Sequence, residues 1–188
     1  MTLRDLAPAH IRAIAPYVPG KPIAETAREL GLAEKDILKL ASNENPLGSS
    51  PKALEAIRAA LGELAYYPDG SGFELKAAIA AKFGVAADNV VLGNGSNDVL
   101  DLAARVFLAP GRSSVFSRHA FAVYPLVTQA VGAQARVATA NPPDHSMPYG
   151  HDLNALAEKI DAKTRLVFIA NPNNPTGVIY SDSEIQAI

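Results

Sequence analysis

The sequence predicts an α/β fold, a three-layer α/β/α arrangement around a mainly parallel sheet. Three observations predict it. From residue 89 to residue 170, short β-rich runs alternate with stretches of helical period, an order that pairs strands in parallel through crossover helices. One run, Asn89-Val90-Val91-Leu92, leads into the small polar turn Gly93-Asn94-Gly95-Ser96-Asn97-Asp98 at the head of a helix. Another, Arg165-Leu166-Val167-Phe168-Ile169-Ala170, ends in Asn171-Pro172-Asn173-Asn174-Pro175-Thr176-Gly177. There two prolines each fix a backbone angle, and Gly177 permits a turn that other residues resist. A rigid loop of this kind, delivered by a buried strand, can hold one amide side chain at a set point for a ligand.

The elements follow in chain order. Ile11 to Ala15 is read as a helical turn, and Pro16, Pro19 and Pro22 keep the next segment extended. Ile23 to Leu30 is a helix stopped by Gly31. Leu38 to Ser42 is an extended piece leading into Asn43-Glu44-Asn45-Pro46-Leu47-Gly48. Ser50-Pro51 opens a helix with Leu54, Ile57 and Leu61 on one stripe. Tyr66 to Gly72 is a loop, and Phe73 to Phe83 a helix closed by Gly84. Strands are then expected at Asn89–Leu92, Ser114–Phe116, Ala135–Thr139 and Leu166–Ala170. The intervening helices span Ser96–Leu108, Ala122–Val131 and Leu153–Ile160, the last capped by Asp152. Ser181-Asp182-Ser183-Glu184 reads as the start of a further helix, cut short at Ile188, so the chain is expected to be a piece of a longer protein.

Composition narrows the function. Hydrophobic residues make up 48% and charged residues 19%, values of a globular chain. A net charge of −2 without a basic block disfavours nucleic acid and acidic membrane surfaces. Without cysteine there is no disulfide or thiolate chemistry, which accords with a cytoplasmic protein. No stretch is long and apolar enough to span a bilayer. His10, His119, His145 and His151 lack ligand spacing, and no metal site is expected. The Gly93–Asp98 turn reads G-x-G-x-x-D, short of the dinucleotide fingerprint's third glycine. It suits a phosphate on the free amides of a helix start, or a purely structural strand-to-helix turn. From the residues alone, Phe121 is a core phenylalanine and Tyr67 a turn residue.

Five pieces together carry a resemblance over nearly the whole chain: Lys39 to Gly48, Tyr67-Pro68-Asp69-Gly70, Gly93 to Asp98, Phe121-Ala122-Val123-Tyr124, and Asn171 to Gly177. In order and spacing they resemble the first half of histidinol-phosphate aminotransferases, within the fold type I enzymes that use pyridoxal 5'-phosphate. The resemblance implies an arm and small-domain segment over 1–48 and the first part of the cofactor-binding large domain over 49–188. It implies backbone groups around Gly95, Ser96 and Asn97 on the cofactor phosphate. It likewise implies Phe121 stacked on the pyridine ring and Asn174 donating to the phenolic oxygen. Tyr67 would reach the phosphate of a neighbouring subunit's cofactor, which implies a homodimer. Tyr17 and Asn45 would lie on the substrate side.

The implied reaction moves an amino group between L-histidinol phosphate and 2-oxoglutarate in histidine biosynthesis. Aromatic amino acid aminotransferases and threonine-phosphate decarboxylases share most of the same pieces. An inactive phosphate-binding remnant is a further alternative, because none of the eight lysines stands in the Schiff-base context S-K-x-x-G-L-A-G-x-R. In the resembled family that lysine lies beyond the Asn171–Gly177 loop, as do the strands that separate the one at Val90 from the one at Val167. No catalytic residue is therefore expected within these 188 residues, and the isolated chain is expected to be inactive.

Overall fold

The computed structural model describes residues 2–186; Met1, Ala187 and Ile188, where the final helix was expected to break off, lie outside the described residues. The chain divides into two compact units, Val18–Val90 and a second made of Met1–Tyr17 with Val91–Ile188.

In the larger unit, three parallel strands form a sheet in the order β2-β1-β3. They are β1 (Ser113–Ser117), β2 (Gln134–Ala138) and β3 (Thr164–Val167). Every residue of the central strand β1 is buried. Side-chain alternation sends Phe116 to one face and Val115 to the other. Phe116 joins Ala104 and Leu108 with Val123, Tyr124, Val127 and Phe168. These come from α6 (Ser96–Phe107) and its C-cap Leu108, α7 (Val123–Ala130) and the segment after β3. Val115 packs with Ala138 and with Leu156 of α8 (Leu153–Lys159). Helices therefore cover both faces, as a parallel sheet requires, and the three-layer expectation holds here.

The strand expected over Asn89–Leu92 is not formed. Ala87–Asn89 makes a 3-10 turn, and Val90 is extended at φ −104° and ψ 118°. No strand among the described residues pairs with it, and extended backbone becomes a strand only through a ladder partner. The arm also differs: two four-residue helices, α1 (Leu3–Leu6) and α2 (Ala9–Arg12), replace the turn expected at Ile11–Ala15. Pro8, extended at ψ 148°, starts α2 earlier than its apolar residues suggest.

The Val18–Val90 unit follows local signals closely. Helix α3 (Ile23–Leu30) stops at Gly31 (φ 65°) and α5 (Phe73–Phe83) at Gly84 (φ 68°). Both glycines take the left-handed conformation that ends helices. Helix α4 (Pro51–Ala60) starts with proline in its first turn. The expected stripe runs past its end into a 3-10 turn, with Leu54 and Ile57 on the helix and Leu61 just beyond, and all three are exposed. At the chain's far end, α9 (Asp182–Ile185) carries the expected capping box between Ser181 and Glu184.

Candidate functional site

In parallel α/β sheets, ligands gather beyond the carboxyl ends of the strands. Two segments leave β1 and β3 at that edge: residues 118–122 and residues 168–177. A third segment, the turn before α6, belongs to the same unit.

The turn is built by its glycines and by Asp98. Gly95 has φ 87°, a left-handed conformation that a side chain resists. A Cβ on Gly93 would lie 2.8 Å from Val99 Cγ2 and 3.1 Å from Asp98 Oδ2. The turn therefore folds tightly onto the first turn of α6. Asp98 Oδ2 accepts from the amide of Asn94 at 2.9 Å. Helix α6 has no side-chain cap, and the amides of Ser96, Asn97 and Asp98 have no acceptor among the described residues. Gly95, Ser96 and Asn97 are all exposed. The result is a 12-residue helix with an open, donor-rich N-terminus. The helix dipole favours an anion there.

Phe121 is half-buried at the rim of the core. Its ring meets Tyr124 edge-on, at 5.9 Å and 89°. Tyr124 in turn stacks on Phe168 at 4.5 Å and 9°. Such offset and edge contacts fix ring planes, so the orientation of Phe121 is set by the core behind it.

The Asn171–Gly177 loop is held by side-chain amides. Both Asn171–Pro172 and Asn174–Pro175 are cis. Asn171 Nδ2 donates to the carbonyl of Tyr180 (2.9 Å), and Asn171 Oδ1 accepts from the amide of Tyr180 (2.9 Å). The amide of Asn173 donates to Val178 O (2.8 Å), and its carbonyl accepts from Gly177 (2.7 Å). Asn173 Nδ2 donates to His119 O (2.9 Å) and Thr176 Oγ1 (2.7 Å). Asn174 is half-buried, and its side chain makes no hydrogen bond among the described residues. It is the loop's uncommitted amide.

Behind the loop lies a buried polar group. Tyr180 donates its hydroxyl to His151 O (2.6 Å), and His151 Nε2 contacts Ala170 O (3.1 Å). The two rings stack at 5.6 Å. Burial holds the His151 pKa below its ordinary value, opposed by the hydrogen bond to Ala170. A carbonyl partner assigns the proton to Nε2, which leaves buried Nδ1 without a partner.

The remaining expected residues fall as follows. Tyr17 belongs to the same unit as the sheet and is more than half exposed. In the Val18–Val90 unit, Asn45 is exposed and serves its own turn. Its Nδ2 donates to Gly48 O (2.9 Å) and its Oδ1 accepts from Leu47 (3.0 Å). Tyr67 is fully exposed, on a loop braced by Asp69, whose carboxylate accepts from the amides of Ser71 and Phe73. These amides hold the Asp69 carboxyl below its usual range, Phe73 contributing most. The structure thus gathers Gly95–Asn97, Phe121 and Asn174 in one unit, with Tyr67 and Asn45 in the other. Asn173 was not singled out by sequence reasoning. No local signal marks it, because its partner His119 lies 54 residues away in the chain.

An open helix N-terminus, a core-braced aromatic ring and a free loop amide thus lie within one compact unit. The chain belongs to the class I and II aminotransferase family, whose sequence model matches residues 35–188. It is 60% identical over 185 residues to a histidinol-phosphate aminotransferase 2 of Nitrosospira multiformis, covering 98% of this chain and 46% of that protein. It is 58% identical to the histidinol-phosphate aminotransferase 2 of Pseudomonas aeruginosa, covering 96% of this chain and 47% of that protein. The chain therefore spans about half the length of the curated relatives it matches.

Among solved structures, it superposes on a histidinol-phosphate aminotransferase from Sinorhizobium meliloti in complex with pyridoxal-5'-phosphate. That match has TM-score 0.78 and 24% identity, over 97% of this chain and 46% of the other. A Thermus thermophilus aspartate aminotransferase mutant matches with TM-score 0.77 and 21% identity, over 96% and 48%. The fold is that of the fold type I aminotransferase large domain, in part.

Proposed function

We propose that this chain is the cofactor-cradling part of a pyridoxal 5'-phosphate-dependent aminotransferase that moves an amino group between L-histidinol phosphate and 2-oxoglutarate. The observation that carries the reading is the α6 start, whose exposed amides at Ser96, Asn97 and Asp98 have no protein acceptor. An unpartnered row of donors at a helix N-terminus fits a phosphate dianion. The half-buried ring of Phe121 and the free amide of Asn174 fit the rest of the same ligand.

When bound, pyridoxal phosphate supplies an electron sink for the carbanion chemistry of amino-group transfer. The chain's own residues bind and orient. The free amides beside Gly95, those of Ser96 and Asn97, take the phosphate, while Gly95 spends its own amide on Gly93 O (2.9 Å) and shapes the turn. Phe121 sets the ring plane. Asn174 Nδ2 donates to the phenolic oxygen and so stabilises charge there. Tyr67 serves the phosphate site of a neighbouring subunit in a homodimer; its full exposure supports a role outside its own unit. Tyr17 and Asn45 face the substrate. The arm and small-domain segment cover 1–48, and the cofactor-binding domain begins at 49. The lysine that carries covalent chemistry belongs to the remainder of the polypeptide, and the setting is cytoplasmic.

The test uses the full-length polypeptide that contains this chain. It is titrated with pyridoxal phosphate by absorbance, then assayed with L-histidinol phosphate, aromatic amino acids and phosphothreonine as competing substrates. Cofactor uptake with preference for histidinol phosphate is expected. Preference for an aromatic substrate, or decarboxylation of a phosphorylated one, would overturn the substrate. Absence of cofactor uptake would overturn the class and leave a phosphate-binding remnant.

A further inference from the structure

Asn173 is 3% exposed, yet it carries a full amide side chain into the protein. Burying such a group is unfavourable unless its hydrogen bonds are made. Both of its donor contacts are made, to His119 O at 2.9 Å and Thr176 Oγ1 at 2.7 Å. Its Oδ1 is buried without a partner. The acceptor at His119 fixes which way the amide points, because the opposite orientation would set two oxygens against each other. A smaller or apolar side chain would avoid the orphaned oxygen, so the position carries a cost that packing alone does not require. Departures of that kind concentrate where the chain positions a site.

The two segments that Asn173 joins show what is gained. Strands β1 and β3 are linked as far as the bond from Phe168 N to Val115 O (2.8 Å). Past it, no backbone hydrogen bond joins residues 118–122 to residues 169–177 among the described residues. Asn173 makes the side-chain tie across that gap. On one side, His119 lies two residues before Phe121; on the other, Asn173 precedes Asn174.

We propose that Asn173 is a positioning residue whose amide clamps the Asn174 loop to the Phe121 segment, setting the spacing between the ring that stacks and the amide that donates. The inference rests on the reading above that Phe121 and Asn174 hold pyridoxal phosphate. Neither contact of Asn173 reaches a ligand; it acts through its neighbours. Thr176 receives one of its protons and shares the clamp.

The test compares the native full-length polypeptide with Asn173→Ala, Thr176→Val, Asn174→Ala and the Asn173→Ala/Asn174→Ala pair. Each is titrated with pyridoxal phosphate, reading the Kd and the visible absorption band of the bound cofactor. The melting temperature is read separately without cofactor. Losing two buried hydrogen bonds should raise the Kd of Asn173→Ala about tenfold, and losing one should raise that of Thr176→Val about threefold. The band should shift in both. Once Asn174 is gone the clamp has less to position, so the pair should be weaker than native by less than the product of the singles. A native Kd and band in Asn173→Ala would overturn the clamp, as would effects that multiply independently. Should Asn173→Ala fail to fold, Thr176→Val decides alone, and a native Kd and band there would overturn it. Failure of the native polypeptide to take up the cofactor would instead overturn the reading beneath it, and the clamp with it.

Discussion

Thr128 donates its hydroxyl proton to the carbonyl of Tyr124 at 2.8 Å, so the 2.7 Å contact between Ser114 Oγ and Thr128 Oγ1 has Ser114 as donor. Both residues are fully buried, on β1 and α7. Thr128→Val keeps the shape and strands the Ser114 hydroxyl, at a cost of about 1–3 kcal/mol. Adding Ser114→Ala removes the orphan, so the pair should be less destabilised than Thr128→Val alone. Urea unfolding of the full-length variants reads the difference; equal midpoints for the single and double variants would contradict the donor assignment. His151 gives a residue-scale pH dependence. Burial lowers its folded pKa below the unfolded value of about 6.5. Between the two values the unfolded chain binds the proton and the folded chain does not. Its contribution is therefore intact above about pH 6.5 and is lost as pH falls toward the folded pKa. Among the described residues the ring's partners are the Ala170 carbonyl and the Tyr180 ring, neither of them charged. Asp152 adjoins it in sequence. Full-length His151→Gln should lose less melting temperature than native between pH 7.5 and 5.5, and parallel slopes would sink the assignment. At this scale the sequence was least legible. Asn171, Asn173 and Asn174 look alike in a string, and only the tertiary neighbours His119 and Tyr180 decide which amides are spent on the fold.

Elements were legible where their signals are local. Gly31 and Gly84 end α3 and α5 because a left-handed residue closes a helix whatever lies around it. The same holds for Asp152, which the sequence marked as a cap: its Oδ1 accepts from the amide of Ala155 at 2.9 Å. Asp152→Ala should cost about 1 kcal/mol through fraying of α8, whose Leu156 fills the face beneath β1. Asp152→Asn, which keeps the acceptor, should recover most of it. Chemical unfolding of the three full-length proteins measures this, and an equal loss in Asp152→Asn would mean that charge, not capping, is at stake. Val90-Val91-Leu92 failed the reading for the opposite reason. Its β-branched residues satisfy every local criterion for a strand, but a strand is defined by a partner, and none of β1, β2 or β3 pairs with it. The resemblance placed the missing neighbours in the half of the family's sequence that follows the Asn171–Gly177 loop, which propensity alone could not have indicated.

For the whole molecule, burial is uneven. The unit holding β1–β3 has two apolar clusters, one on each sheet face. In the Val18–Val90 unit, Ala27 is the one buried residue. Its helices are well formed yet leave Ile57, Leu61, Phe73 and Phe83 more than half exposed. Helices of 8 to 11 residues are marginal alone and take their stability from a covered apolar face. A segment that covers so little should not hold its structure when these 188 residues are expressed by themselves. Proteases should therefore cut first within 18–90, while amides of β1 and α7 exchange more slowly than those of α4 and α5. The exposed leucines and phenylalanines should bind a hydrophobic dye and drive concentration-dependent association. In the full-length polypeptide the same sites should be protected. A monomeric 188-residue chain with one sharp, cooperative melt and no preferential cutting within 18–90 would show instead that these helices find their cover within the chain itself.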